Sequence, residues 1–238
     1  MTDTAIRLAK RVAETIPCSR NEAERYIAGG WVTVDGQLVE DPAARVNDEQ
    51  DVAVHPEATL DEIAPVTILL HKPADVDADA ALALLGPDTV VQPEWGAQRV
   101  LKCHFARLTV TSPLDTRASG LMVLTQDFRV ARKLVEEADR VEQEYLVEVR
   151  GAIREGGLAH LNTALSFKGR PITPVKVSWQ NETRLRIAGK AIKPGQIEHM
   201  CGAVGLTVAS IKRLRIGRIP LSSLPSGQWR YLRENERF

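Results

Sequence analysis

The 238-residue chain is short of several things at once: aromatic residues are 5% of it, cysteines number three, and 31 Lys and Arg offset 31 Asp and Glu to leave no net charge. No apolar run approaches the ~20 residues a bilayer span needs. Cys18, Cys103 and Cys201 lie far apart and form no Cys-x-x-Cys, and the pairs Cys103-His104 and His199-Met200-Cys201 lack zinc-site spacing, so no metal is expected. Free thiols in a reducing cytosol are the simpler reading. Residues Met1 to Arg7 show no basic segment followed by an apolar stretch, and a soluble cytoplasmic protein without membrane association is expected. Also missing are a glycine-rich phosphate loop and a Ser-His-Asp pattern. Asp115 and Asp127 do not read as a glycosidase pair, because Asp127 precedes an apolar helix face as a cap would.

The absent net charge conceals a polarised chain. Residues 1–98 hold 7 basic and 18 acidic side chains, a balance of −11, whereas residues 99–238 hold 24 and 13, a balance of +11. Within 168–233 there are 13 basic residues against only Glu182 and Glu198. One part of such a chain can attract a polyanion while another does not.

Over residues 4–16, Ala5, Leu8, Ala9, Val12 and Ile16 recur at helical spacing, and Pro17 stops the helix. Ser19-Arg20-Asn21-Glu22 is a capping-box pattern that starts a second helix, ended by Gly29-Gly30. Trp31 to Val34 alternates as a strand, and Asp35-Gly36 signals a hairpin because both residues tolerate positive φ. Residues 56–65 hold Pro56, Pro65 and acidic residues in the manner of a linker, and 74–88 is acidic and alanine-rich without a motif. Further strands are expected at Arg107–Thr111, Leu121–Leu124, Tyr145–Val149, Val175–Trp179, Leu185–Ile187 and Lys212–Ile216. Helices are expected after Asp127 and around 196–204. The order indicates an α+β fold built on mainly antiparallel pairing.

The first block, from Ser19-Arg20 through Ala23, Ile27, Gly30, Val32 and Val34 to Gly36, resembles the S4 RNA-binding domain. That resemblance implies RNA contact but no reaction. Lys10, Arg11, Arg20 and Arg25 could meet phosphates there, or form a solvated helix face.

The sharpest local feature is Ser112-Pro113-Leu114-Asp115-Thr116-Arg117-Ala118-Ser119-Gly120-Leu121, one carboxylate in a turn between two apolar strands. From spacing alone Asp115 is either a turn cap or a carboxylate kept partly dry for nucleophilic or base chemistry. The segment resembles the Gly-Arg-Leu-Asp motif of pseudouridine synthases of the RsuA/RluB/RluE/RluF type. Four more blocks follow the family's order: Leu70-His71-Lys72-Pro73, Glu144 to Val149, Gln196 to Cys201, and Leu214-Arg215-Ile216-Gly217 with Leu224 to Leu232.

This resemblance implies a small S4 domain at 1–58, a linker at 59–65 and a synthase domain at 66–238. It implies isomerisation of a uridine in structured RNA, ribosomal RNA in the first place, by a monomer without cofactor. Asp115 would act at the flipped nucleotide, Tyr145 would stack on the detached uracil and help move the C5 proton, and Ile216 would line the pocket. Lys193 or Arg117 would be the cation beside Asp115, and Lys212, Arg213, Arg215 and Arg218 would hold the RNA. The chain departs from the pattern at Pro113, Gly195, Glu198 and His199, where the family carries basic residues, and at His71, where it carries Asn. Those departures support a second reading, a catalytically weak or inactive RNA-binding protein on a synthase scaffold. An S4-bearing ribosome-assembly factor is a third.

Overall fold

The computed structural model describes residues 5–91, 99–163 and 165–238. It holds two units: the first runs to Pro65 and takes in the segment ending at Arg107, and the second begins at Val66 and resumes at Leu108.

In the first unit, α1 (Leu8–Thr15) packs against α2 (Arg20–Ala28). Ile16 is extended, as a residue before proline must be, so α1 stops one residue earlier than its periodicity suggests. It also starts late. Ile6 and Arg7, expected in the first helical turn, pair antiparallel with Val46 and Arg45, while Thr4 lies outside the described residues. The Ser19 hydroxyl accepts from the Glu22 amide at 3.2 Å and the Ser19 amide donates to the Glu22 carboxylate at 2.7 Å, closing the reciprocal cap on α2. Strands β1 (Val32–Val34) and β2 (Gln37–Leu38) form the hairpin across Asp35 and Gly36, at φ 52 and 77, and β3 (Val52–Val54) pairs with the other edge of β1. Leu8, Val12, Ala23, Ile27, Val32 and Val46 fill the core. Helix-turn-helix plus hairpin is therefore the observed arrangement.

The segment Arg99–Arg107 completes this unit. The Arg99 guanidinium lies 3.6 Å from the centroid of Trp31 and donates to the carbonyls of Gly29 and Gly30 at 3.1 and 3.0 Å. The Lys102 amide donates to Glu40 at 2.8 Å. Truncating Arg99 to Ala removes the cation from the ring and leaves two carbonyls without their donor, an expected loss of about 2 kcal/mol. Native-state hydrogen exchange at the α2 and β1 amides checks this, with faster exchange expected there than in the second unit.

The second unit is a nine-stranded sheet. Its strands are β4 (Thr67–Lys72), β5 (Ser119–Thr125), β6 (Glu142–Arg150), β7 (Lys176–Asn181), β8 (Arg184–Lys190), β9 (Thr207–Ile216) and β10 (Trp229–Tyr231). They lie in the order β7-β8-β6-β9-β5-β4-β10, with Thr109–Val110 added beside β5 and Ile219–Pro220 beside β9. Among the described strands β5 and β9 pair in parallel and the other pairs are antiparallel, so the sheet is mixed and mainly antiparallel. Helix α3 (Phe128–Val135) is capped by Asp127, whose carboxylate accepts from the Arg129 amide at 2.8 Å, and α4 (Gln196–Ala203) leads into β9. Two apolar clusters cover the sheet. One gathers Tyr145, Val147, Leu185, Ile187, Ile197 and Met200; the other gathers Leu69, Leu121, Val123, Leu134, Val141 and Ile216.

Close approach of β5 to β9 sets the position of the loop that precedes β5. A Cβ at Gly120 would come within 2.3 Å of the Arg213 carbonyl oxygen, and φ there is +112°, so only glycine fits. Among the described residues no helix is long and apolar enough to cross a membrane, and no group of three or more His, Cys, Asp or Glu is placed to hold a metal ion.

Candidate active site

Asp115 stands where the chain turns between the edge strand Thr109–Val110 and β5. The Thr111 amide and hydroxyl both donate to Val123 O, at 3.1 and 3.0 Å, which fixes the start of the loop. The Ala118 amide donates to Asp115 O at 3.0 Å, which closes the turn and delivers Ser119 into β5. Asp115 is thus held from both sides by rigid strands.

Two features then act on its carboxylate. The Gly195 amide donates to Asp115 Oδ2 at 2.8 Å, and Gly195 is the left-handed residue, φ +77°, that opens α4. The carboxylate therefore sits at the positive end of a helix and takes one of its orphan amides. A basic side chain was the family expectation at this position. The backbone N–H does the contact instead, and glycine gives the conformation that aims it. Gln196 supports the turn, its buried side chain accepting from the Lys193 amide at 3.2 Å.

Lys72 is the second feature. It is 1% exposed, and its ammonium donates to Pro73 O, Val76 O and Thr116 O at 2.9, 2.6 and 3.0 Å. The last contact pins the residue after Asp115. Burial lowers the Lys72 pKa from the usual lysine value, with Asp75, Asp115 and Asp77 opposing that shift. Neighbouring His71 has its ring 2.7 Å from Leu224 O, and burial lowers its pKa in turn.

Around Asp115 opens a small cavity, partly open to solvent, whose walls include Pro113, Leu114, Tyr145, Lys193, Ile197 and Ile211. Tyr145 is buried and its hydroxyl donates to Gln143 Oε1 at 2.5 Å, so the ring is fixed as part of the wall. Lys193 is exposed at the rim and Arg117 is exposed on the adjacent turn; neither forms an ion pair among the described residues. The structure thus brings Asp115, Tyr145 and Lys193 to one cavity and leaves Arg117 outside its lining.

Three of the expected residues are placed differently. Ile216 packs with Leu69, Leu121 and Val141, and Ile211 lines the cavity in its stead, because the two are five residues apart on one strand, roughly 16 Å. Arg213 does not reach solvent. It is 1% exposed, and its guanidinium donates to Leu121 O at 2.7 Å, Ser112 O at 2.6 Å and the Tyr145 hydroxyl at 3.4 Å. Arg215 is taken by Glu142 at 2.6 Å and Glu144 at 2.9 Å. Glu144 also accepts from Arg186 at 2.6 Å, and that bond, with the one from Arg215, holds its pKa below the usual carboxylate value. Lys212 remains half-buried and Arg218 exposed.

In the first unit, Lys10 meets Glu14 at 3.8 Å, Arg20 meets Glu24 at 3.4 Å, Arg11 pairs with Asp48, and Arg25 is exposed. The exposed Lys10–Glu14 and Arg20–Glu24 pairs are worth little in water and give way to a phosphate at small cost.

The chain matches the S4 domain family over residues 6–52 and the RNA pseudouridylate synthase family over residues 66–194. It is 28% identical over 240 residues to the dual-specificity RNA pseudouridine synthase RluF of Escherichia coli (strain K12), covering 99% of this chain and 78% of that protein. It is also 28% identical over 239 residues to the ribosomal small subunit pseudouridine synthase A of the same strain, covering 97% and 98%. A crystal structure of a pseudouridylate synthase superposes with a TM-score of 0.61 at 21% identity over 96% of each chain, which shows a common fold.

Proposed function

This chain belongs to the RNA pseudouridylate synthase family, and from that premise we propose that it isomerises a particular uridine of a folded RNA, ribosomal RNA in the first place, with Asp115 acting at the flipped nucleotide. The observation that carries the reading is the Asp115 carboxylate, held by the Gly195 amide at 2.8 Å, in a cavity walled by Tyr145 and rimmed by Lys193.

The reaction breaks the bond from ribose C1′ to uracil N1, turns the base, and joins C1′ to C5; the C5 proton leaves and N1 gains one, so no atoms are lost. The protein must first take the uridine out of its stack, at a cost of a few kcal/mol. Asp115 supplies the carboxylate for cleavage at the ribose. Lys193 is the better cation of the two expected, since it shares the cavity and can balance that charge. Tyr145 offers a π-face to the loose uracil, and because its hydroxyl is occupied by Gln143, stacking is its main task.

For RNA contact the reading keeps Lys10, Arg11, Arg20, Arg25, Lys212 and Arg218, and it drops Arg213 and Arg215, whose donors are spent inside the protein. Residues 1–58 serve as the RNA-reading module, 59–65 as linker and 66–238 as the synthase domain, with 99–107 contributed to the first unit. The protein works as a monomer in the cytoplasm, where its RNA is.

Carbodiimide-dependent primer extension on ribosomal RNA from cells with and without the gene tests this. One reverse-transcription stop is expected to vanish on deletion and to return when the gene is restored. An unchanged pattern of stops overturns the ribosomal-RNA reading, and failure of the purified protein to form pseudouridine in total cellular RNA overturns the activity.

A further inference from the structure

Beside the Asp115 cavity is a two-stranded hairpin outside the main sheet, in which Ser166 and Phe167 pair with Pro171 and Arg170. A lone hairpin of this size is marginal in water, so something must hold it. Two contacts do. The His199 ring nitrogen is 3.1 Å from Ser166 O, and the Phe167 ring meets the His199 ring edge-on at 5.4 Å between centroids. A Cβ added at Gly195, whose amide holds Asp115, would lie 3.6 Å from the tip of Phe167. The hairpin is therefore seated on the same turn that positions the carboxylate.

Its tip is Lys168-Gly169, with φ of 52° and 73°. Both values belong to the mirror-image two-residue turn, in which glycine, asparagine and aspartate are favoured. Lysine is not among the residues that favour this conformation. Lys168 and Arg170 are exposed, and Lys168 lies 5.2 Å from the Phe167 ring. From Gly156 to Asn181 the chain has no acidic residue, and among the described residues neither Lys168 nor Arg170 forms an ion pair. His199 on α4 anchors the hairpin, and the hairpin carries the basic groups.

We propose that the hairpin Ser166–Pro171 is a phosphate grip for the RNA strand that carries the target nucleotide, with Lys168 and Arg170 neutralising backbone phosphates next to the cavity and Phe167 and His199 holding the hairpin in place. It rests on the pseudouridine synthase reading and names the part of that site which binds the strand. The contacts are electrostatic and sequence-independent, so they contribute affinity and orientation and leave base selection to other parts.

The test is the double variant Lys168→Ala/Arg170→Ala in the full chain, assayed for pseudouridine formation on total ribosomal RNA transcripts over a range of salt. KM is expected to rise about tenfold at low salt, more than kcat falls, and the plot of log(kcat/KM) against log salt should become shallower by about 1.5, two phosphate contacts' worth. The double variant Arg132→Ala/Lys133→Ala on α3 removes the same charge elsewhere and is expected to change neither quantity. Phe167→Ala, which frees the hairpin and keeps its charges, should raise KM in the same direction with the salt slope preserved. An unaltered KM and slope for the hairpin variant, with its thermal unfolding like wild type, overturns the proposal, as does an equal loss in both charge variants. A wild-type protein inactive on every RNA instead overturns the synthase reading, and equilibrium RNA binding by the same variants then still decides whether the hairpin grips phosphate.

Discussion

Asp115→Asn is expected to abolish turnover, with single-turnover pseudouridine formation falling at least about 10³-fold, while the thermal unfolding profile and RNA affinity stay close to wild type. The substitution is chosen because the local geometry can survive it. The amide oxygen of Asn can accept from the Gly195 amide as Asp115 Oδ2 does at 2.8 Å, and the turn closed by the Ala118 amide uses only backbone. What disappears is the negative charge and the second anionic oxygen, which are what a carboxylate brings to a reacting ribose. Measurement with enzyme in excess over RNA separates this from binding. A variant that retains a tenth of the wild-type rate would sink the assignment of Asp115, and one that loses RNA affinity in step with activity would reassign it to binding.

The parts of the fold set by neighbours in sequence were legible, and those set by distant pairing were not. Ser19 and Glu22 announced the start of α2, and Asp35-Gly36 announced the hairpin, because each signal is complete within four residues. Asp127 likewise announced α3. The first turn of α1 was misread because Ile6 and Arg7 answer to Val46 and Arg45, some forty residues away. The site divides along the same line. Asp115 and Tyr145 were singled out through motifs, and both line one cavity. Arg213 was misread because Lys212-Arg213-Leu214-Arg215 has the look of a solvated basic strand. In fact the Arg213 side chain is turned into the interior, and a register shift between Arg213 and Arg215 changes which neighbours the later residues meet. Gly195 was read as a missing cation. A backbone amide leaves no trace in residue type, and only the Pro194-Gly195 pair ahead of a helix hinted that the chain turns there.

Arg213→Met is expected to lower stability by about 4 kcal/mol and to cut kcat even at temperatures where the variant is fully folded. The methionine fills much the same space but leaves Leu121 O and Ser112 O, at 2.7 and 2.6 Å from the guanidinium, without their donor in an interior that water does not reach. The two carbonyls belong to different pieces of the site, one to β5 and the other to the loop that carries Asp115. The third contact, to the Tyr145 hydroxyl at 3.4 Å, adds the cavity wall. One rigid fork thus sets the spacing between the carboxylate's loop and the stacking ring, and a misplacement of an ångström there can cost a hundredfold in rate. Arg213→Lys separates position from charge. An ammonium on a flexible stem can satisfy one carbonyl but cannot span three groups, so it should recover part of the stability and little of kcat, with KM near wild type in both variants. Urea unfolding midpoints and the split between kcat and KM provide the check. If the lysine variant restores kcat together with stability, Arg213 is only a buried charge holding the core. If the methionine variant is as stable as wild type, the network around it carries no weight.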